Sequence, residues 1–548
     1  MKSNLFSIKR RIVIFSILIA GLSISATVSE DFFEISKNLE IFSDLYKKVN
    51  LYYSDDTKPG ELMKIGVDAM LKSLDPYTVY IPESRMEDYR MMTTGQYGGV
   101  GASIKFIDNK VVITDPYEGF PAHKAGIQAG DIVKKVDGKT ILDMDHDQIS
   151  ELLKGQAGTS VSLSIERYGD EMSIDLVRED VQIPNVPYYG LVNEDVGYVK
   201  LNKFTKTASR EIKAAYVEMQ KQGMEKLILD LRGNTGGLLG EAINIVNFFV
   251  PKETPIVSTK GRLEEWDKTY IGLNEPLSAT MPLVVLVDGT SASASEVVSG
   301  ALQDLDRAVI IGTETYGKGL VQQTKDIAYN SKIKLTVAKY YTPSGRCIQK
   351  LDYFNKVDGL AEEVPDDNIA AFKTANGREV FDGRGIKPDV VIENENLANI
   401  VYGLFEGDHI FNYATLYKKL NSELSGEEKF QMSDTQYDEF LGWVKQQNIE
   451  YSNESETIVN DLIEVAKSER YYDLSAKELE ELKSRFKPNV DRDLVKFKDQ
   501  VTMLLNNEIV SRYYYQVGRI KNVLSDDPYM DQAYTYLQQD KMNSVLKN

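Results

Sequence analysis

The stretch DGTSASASEVVSGAL, residues 288–302, sets Ser291, Ser293 and Ser295 among alanines where a helix-like pattern begins, just after the apolar run MPLVVLV. A serine at a strand-to-helix turn can serve as the nucleophile of acyl transfer. The amide that follows Ser293, that of Ala294, sits at a helix N-terminus and can donate to an oxyanion. A plainer reading competes: Ser293 and Glu296 are spaced S-x-x-E, a capping box. A nucleophilic serine also needs a base. The three histidines, His123, His146 and His409, all fall outside the region around these serines. A Ser-His-Asp triad would have to import its base from another domain, and a histidine-built zinc site has no support. Lysine can take the proton if burial lowers its pKa. The best candidate is Lys318 in TETYGKGLVQQ, whose neighbours Gly317 and Gly319 allow close backbone approach; the competing reading is a solvated turn lysine. Lys332 and Lys334 alternate with apolar residues and read as the solvated face of a strand, and Lys325 beside Asp326 reads as exposed.

An oxyanion needs a second donor. LDLRGNTGGLLGEA (229–242) follows an apolar strand and precedes a helix, and Gly236-Gly237 offers backbone N–H groups there. A phosphate-cradling loop reads similarly, but the G-x-x-x-x-G-K-[ST] spacing is missing. The single cysteine, Cys347, allows no intrachain disulfide and no cysteine-based zinc site. Its segment, KYYTPSGRCIQ, reads as strand-like, with a buried structural thiol. No metal or organic cofactor is expected.

The elements that must hold these groups come in five stretches of a 548-residue chain. Residues 1–29 carry Lys2, Lys9, Arg10 and Arg11 ahead of IVIFSILIAGLSISA, the pattern of a signal peptide, with a membrane anchor as the alternative. Either places the bulk of the chain outside the cytoplasm, in the periplasm or cell envelope. Residues 30–92 are helical, with Phe32, Ile35, Leu39, Phe42, Leu45 and Val49 on one face. Residues 93–180 are β-rich, with a hairpin signal at Asp137-Gly138 and a short helix at HDQISELLKG. Residues 181–396 alternate strand and helix, as an α/β layer does. Residues 397–548 are polar, Tyr-rich and helical. The net charge of −19 disfavours nucleic acid as a partner.

Eight segments, in order, carry a resemblance: LDPYTVYIP (74–82), GGVGASI (98–104), GFPAHKAGIQAGDIVKKVDG (119–138), LDLRGNTGGLL (229–239), SASASE (291–296), TYGKGLVQ (315–322), AKYYTPSGR (338–346) and GIKPDV (385–390). Together they resemble the carboxy-terminal processing peptidases, or tail-specific proteases, serine peptidases of the S41 type. The resemblance implies a multidomain α/β protein: a ClpP/crotonase-like S41 peptidase core, an inserted PDZ domain, N-terminal helices and a helical C-terminal region. It implies Ser293 as nucleophile, Lys318 as general base and Gln322 to orient the lysine. The oxyanion donors become Ala294 and either Gly236 or Gly237. Ser291 and Ser295 are left as caps and packing residues. Gly233 and Thr235 depart from the commoner residues of that turn without removing a reactive group.

In the PDZ-like module, the amides of Gly99, Val100 and Gly101 can hold a terminal carboxylate. The strand from Ala102 can accept an added peptide strand, and Val100, Ile104, Ile149 and Leu152 are expected to form an apolar pocket. The implied partners are protein or peptide substrates with C-terminal tails or unfolded segments. The N-terminal helices are expected to pair two copies, or else to pack on the core, and the C-terminal region could seat an adaptor. A non-catalytic, PDZ-bearing peptide-binding scaffold is the alternative function.

Overall fold

Apolar runs that read as buried strands need cover on both faces, and the chain supplies it from two distant stretches. The computed structural model describes residues 32–393, 396–424 and 429–547. The expected signal or anchor lies outside the described residues, and no helix among them is long and apolar enough to cross a membrane. The chain divides into one unit ending at Tyr80 and another starting at Ile81.

The first unit holds a helix over 32–52 and a second, Pro59–Lys72, linked by a hydrogen bond from the Tyr46 hydroxyl to the Pro59 carbonyl at 2.7 Å. Phe32, Ile35, Leu39, Phe42, Leu45 and Val49, the expected apolar face, are all exposed.

The second unit is centred on a six-stranded sheet. Its parallel strands are Val196–Lys200, Lys226–Asp230, Leu283–Val287, Val309–Gly312 and Val390–Val391, with Tyr188–Leu191 antiparallel at one edge. Side chains alternate between faces. Leu227, Leu229, Leu283, Val285 and Val287 pack with the helices Ala208–Lys221, Leu239–Asn247 and Ala294–Asp304. The first of these helices buries Ile212, Ala215, Tyr216 and Met219, one helical face. On the opposite face, Ile228, Val284, Leu286, Val309 and Ile311 pack against Tyr529, Met530, Ala533, Leu537, Met542 and Leu546. These come from the last two helices, Pro528–Tyr536 and Gln539–Leu546, and from Leu537, which ends the first of them. The far C-terminus therefore supplies the second layer over this sheet, which its polar composition did not announce.

The β-rich module enters and leaves through a two-stranded neck, Gln96–Gly99 paired with Glu179–Gln182. Its sheet runs in the order Ala102–Ile107, Lys110–Pro116, Ile132–Val136, Ser160–Arg167, Asp170–Val177, so Ala102–Ile107 is an edge strand. Asp137 and Gly138 both have positive φ, 50° and 76°, as the expected tight hairpin requires. The module also meets the C-terminal helices: Lys105 pairs with Asp408 at 2.5 Å, and Lys419 lies 5.0 Å from the centre of the Tyr168 ring. Cys347 corrects its expected setting. The strand Lys332–Tyr341 ends six residues before it, because the turn Thr342–Gly345 intervenes; burial still pushes its thiol up.

Candidate active site

Two turns leave neighbouring parallel strands at their C-terminal ends, where open α/β sheets place their sites. Lys226–Asp230 leads into the glycine-rich turn, and Leu283–Val287 leads into the serines. Ser293 is the N-cap of the fully buried helix Ala294–Asp304, with φ 56° and ψ −111°. A side-chain-bearing residue held at such angles costs about 1–3 kcal/mol and persists only where its surroundings enforce it. Three bonds do so here. The Ser293 N–H donates to Glu296 Oε2 at 2.7 Å, and its carbonyl accepts from the Val297 amide at 2.9 Å and from the Tyr340 hydroxyl at 3.1 Å.

The flanking serines do something other than cap. The Ser291 hydroxyl donates to the Leu231 carbonyl and that of Ser295 to the Asn234 carbonyl, both at 2.8 Å. Both acceptors belong to the glycine-rich turn, so the two serines fasten one turn to the other. The Asn234 carbonyl also accepts the Ala292 amide, and Asp288 accepts the Gly233 amide at 3.0 Å. Gly236 packs directly on the serine turn: a Cβ there would lie 2.6 Å from the Ala292 carbonyl oxygen and 2.9 Å from Ser293 Cβ. Its amide donates to Asn234 Oδ1 at 2.9 Å. Among the described residues, the amides of Gly237 and Ala294 have no protein acceptor. Of the two candidate glycines, Gly237 is thus the one with a donor to spare.

Glu296 joins Lys318 to this site. The carboxylate is wholly buried. Its Oε1 accepts the Thr315 hydroxyl at 2.6 Å and the Gly317 amide at 2.7 Å; its Oε2 accepts the Ser293 amide and, at 2.9 Å, the Lys318 amide. Burial raises its pKa and outweighs these hydrogen bonds, which pull it down. The Tyr340 hydroxyl makes a second tie, its single proton shared between the Lys318 carbonyl at 2.5 Å and the more distant Ser293 carbonyl. The glycines flanking Lys318 are required by close approach: a Cβ on Gly317 would lie 2.5 Å from Lys350 Cβ, and one on Gly319 would lie 2.8 Å from the Gln349 amide nitrogen.

A cavity of about 760 Å³ opens at Ser293 and Ala294. Gly237, Leu239, Ile243, Val297, Leu320 and Gln322 are among the residues lining it. Gln322 follows a register shift in its strand, which re-aims the side chain. Its amide donates to the Leu320 carbonyl at 3.3 Å and to Thr336 Oγ1 at 3.4 Å. The lysine lining this cavity is Lys334, which the strand Lys332–Tyr341 carries at its half-exposed end. It pairs with Thr324, and the strand face it shares with Thr336 borders the cavity. Tyr340 and Asn234 carried no signal that single-sequence patterning singles out. Among the described residues no three His, Cys, Asp or Glu side chains converge as a metal site.

In the β-rich module, Val100 and Ile149 lie in the core, while Ala102, Ile104 and Leu152 are partly exposed at its margin. Gly99 bridges to Lys154 at the end of the helix His146–Leu153, and Gly101 has φ 76°. The Gly101 and Ala102 amides face the buried Tyr97 hydroxyl; burial raises that phenol's pKa, against their pull.

Comparison with known proteins agrees with the class defined by this fold, a serine-type peptidase with a PDZ module. Residues 195–356 match the model of peptidase family S41, residues 112–167 that of the PDZ domain, and residues 400–537 that of a C-terminal helical domain of probable PDZ-proteases. The chain is 38% identical to a carboxy-terminal-processing protease of Bartonella bacilliformis over 57% of its own length and 73% of the relative's. It is 31% identical to a probable CtpA-like serine protease of Staphylococcus saprophyticus over 82% and 92%. A solved photosystem II D1 C-terminal processing protease is 28% identical, with 65% of this chain and 93% of that one covered and a TM-score of 0.35. The chain belongs to the carboxy-terminal-processing proteases of peptidase family S41.

Proposed function

We propose that the protein is an endopeptidase of the cell envelope that cleaves proteins engaged through C-terminal or unfolded segments, with Ser293 as nucleophile and Lys318 as general base. The observation that carries this reading is the buried Glu296 carboxylate, one oxygen of which accepts the backbone amides of both residues. Neutral Lys318 takes the Ser293 hydroxyl proton as the oxygen attacks the peptide carbonyl. The Gly237 and Ala294 amides donate to the oxyanion. Protonated Lys318 gives its proton to the leaving amine. Water then attacks the acyl-enzyme, losing a proton to Lys318, which passes it to Ser293 Oγ as the ester bond breaks and the new carboxyl end departs. Gln322 orients the lysine without adding charge; an anion in that place would raise the lysine pKa and spoil the base. Trapping tests the assignment. The Ser293→Ala protein, incubated with envelope extract, should retain substrates that the wild-type protein cleaves, and retention of nothing beyond what wild type retains would count against it.

The PDZ module is read as the tail-binding element. A peptide adds as a strand to Ala102–Ile107, with its carboxylate at the Gly99–Gly101 amides and its last side chain between Ile104 and Leu152. The Tyr97 hydroxyl must share or yield that cradle. In a fluorescence-anisotropy titration, amidating the C-terminus of a bound peptide should weaken binding at least about tenfold; equal affinity for both forms would remove the carboxylate from the picture.

The apolar face of the helix over 32–52 is read as the pairing surface of two copies, the use that such helices have in this family. Light scattering should give twice the chain mass, falling to the chain mass when Leu39 and Phe42 are both changed to Glu. A monomeric wild type would end this reading.

A further inference from the structure

The glycine-rich turn stands on a buried charge cluster that the reaction steps leave unused. Asp230, at the end of its strand, is 1% exposed. Its carboxylate accepts the Tyr198 hydroxyl at 2.6 Å and the Arg232 side chain at 2.7–3.1 Å, and lies 3.2 Å from Lys200 Nζ. Lys200 in turn donates to the Arg232 carbonyl at 2.6 Å. Burial works to raise the Asp230 pKa, but Lys200 and Arg232 overcome it and hold the carboxyl well below the usual range.

Two cations against one carboxylate leave a positive charge uncompensated where little water reaches, and such a charge is expensive. The second carboxylate comes from the C-terminal region, almost 300 residues further along the chain. Asp527 Oδ2 lies 2.7 Å from Arg232 Nη2. The two form a short ion pair. The Asp527 side chain is only 4% exposed. Its other oxygen caps the helix Pro528–Tyr536 by accepting the Tyr529 amide at 3.0 Å, and the Tyr529 ring centre lies 4.5 Å from the Arg232 guanidinium. One short stretch of the terminal helices thus supplies a charge and a ring face to the residue that opens the turn.

We infer that Asp527 is a positioning residue for peptide hydrolysis: acting through Arg232, it fixes the turn that carries the Gly237 amide. This rests on the assignment of Ser293 and its oxyanion donors above. Arg232 is five residues from Gly237, and the segment between is bonded to the serine turn at Gly233 and Asn234 and packs on it at Gly236. A tilt at Arg232 is therefore passed to the amide.

The test is Asp527→Asn in the full-length protein, which keeps size and an oxygen for the cap but removes the charge. The kcat for a reporter peptide should fall about tenfold with KM within about twofold, the pattern of a donor moved by a fraction of an ångström. Affinity for a peptide boronic acid, whose tetrahedral adduct uses the same donors, should fall by a similar factor. Met530→Ala is the control, since Met530 packs on the sheet from the same helix. It should lower the thermal midpoint more than Asp527→Asn does, yet leave kcat within about twofold well below that midpoint. The proposal is overturned if Asp527→Asn keeps wild-type kcat and boronate affinity, or if both variants lose kcat in step with their thermal midpoints. Ser293→Ala, assayed alongside, separates the two layers. An active Ser293→Ala enzyme overturns the site assignment and this proposal with it. An inactive one beside an unimpaired Asp527→Asn enzyme overturns this proposal alone.

Discussion

Replacing either Ser293 or Lys318 with alanine is expected to lower kcat for an unfolded test protein by at least about 10⁴-fold, because under the proposed assignment each removes a group that the first bond-making step requires. Folding should persist in both variants. The bonds that enforce the Ser293 backbone come from its own amide and carbonyl, and those that hold the Lys318 loop come from the Lys318 and Gly317 amides. The informative comparison is Lys334→Ala. Lys334 is the lysine that lines the cavity at Ser293. If it only borders the substrate, its removal should change KM and leave kcat within about tenfold. If Lys334→Ala is dead and Lys318→Ala is active, the base has been assigned to the wrong lysine. A lysine base must be neutral to act, so wild-type activity should climb with pH as that lysine loses its proton. A profile flat from about pH 5 to 9, with the chemical step shown to be rate-limiting, would sink a lysine base altogether.

What could be read from residue order was largely what local chemistry dictates. The strand Leu283–Val287 is apolar at every position because both its faces are buried, and the turn after it had to be built from small residues because Gly236 packs within van der Waals reach of it. The absence of histidine near Ser293 and the glycines around Lys318 were legible for the same reason. The distinct jobs of the three serines were not. Ser291 and Ser295 are occupied because the Leu231 and Asn234 carbonyls stand opposite them, some sixty residues away in sequence, and no spacing rule carries that. Lys334 shows another limit. The strand Lys332–Tyr341 is half-buried at every position from Lys332 to Val337, so alternation alone did not reveal that a cavity borders Lys334. The last two helices are the largest gap. Their composition is that of an exposed bundle, and only the bare face of the parallel sheet explains why Tyr529, Met530 and Met542 are buried.

Glu296→Gln is expected to lower kcat on the order of 100-fold and to destabilise the fold by about 1–3 kcal/mol, although glutamine matches glutamate in size and reach. The reason is the count of donors. Two face each carboxylate oxygen: the Thr315 hydroxyl and Gly317 amide on one, the Ser293 and Lys318 amides on the other. Glutamine must turn an NH₂ towards one pair. Facing Thr315 is the milder choice, because a hydroxyl can rotate to accept, but the buried Gly317 amide then loses its partner beside Lys318. Facing the other pair strands Ser293 and Lys318 directly. Acidification should have a related effect on the wild-type enzyme. Burial raises the Glu296 pKa above that of an ordinary glutamate, so the folded chain holds this proton more tightly than the unfolded chain does. The stabilisation linked to it is fully present below the ordinary glutamate value and is lost as pH rises through the raised one. Activity depends on the opposite form, since four converging donors require the ionised carboxylate. Lowering the pH through the raised value should therefore cut kcat while the fold remains, with no loss of thermal midpoint traceable to Glu296. The residual activity of Glu296→Gln should lack that acid limb, because its amide does not titrate. If Glu296→Gln instead turns over within about threefold of wild type, one shared carboxylate is not what holds Ser293 and Lys318 in register, and the Tyr340 bridge between their carbonyls must be sufficient alone.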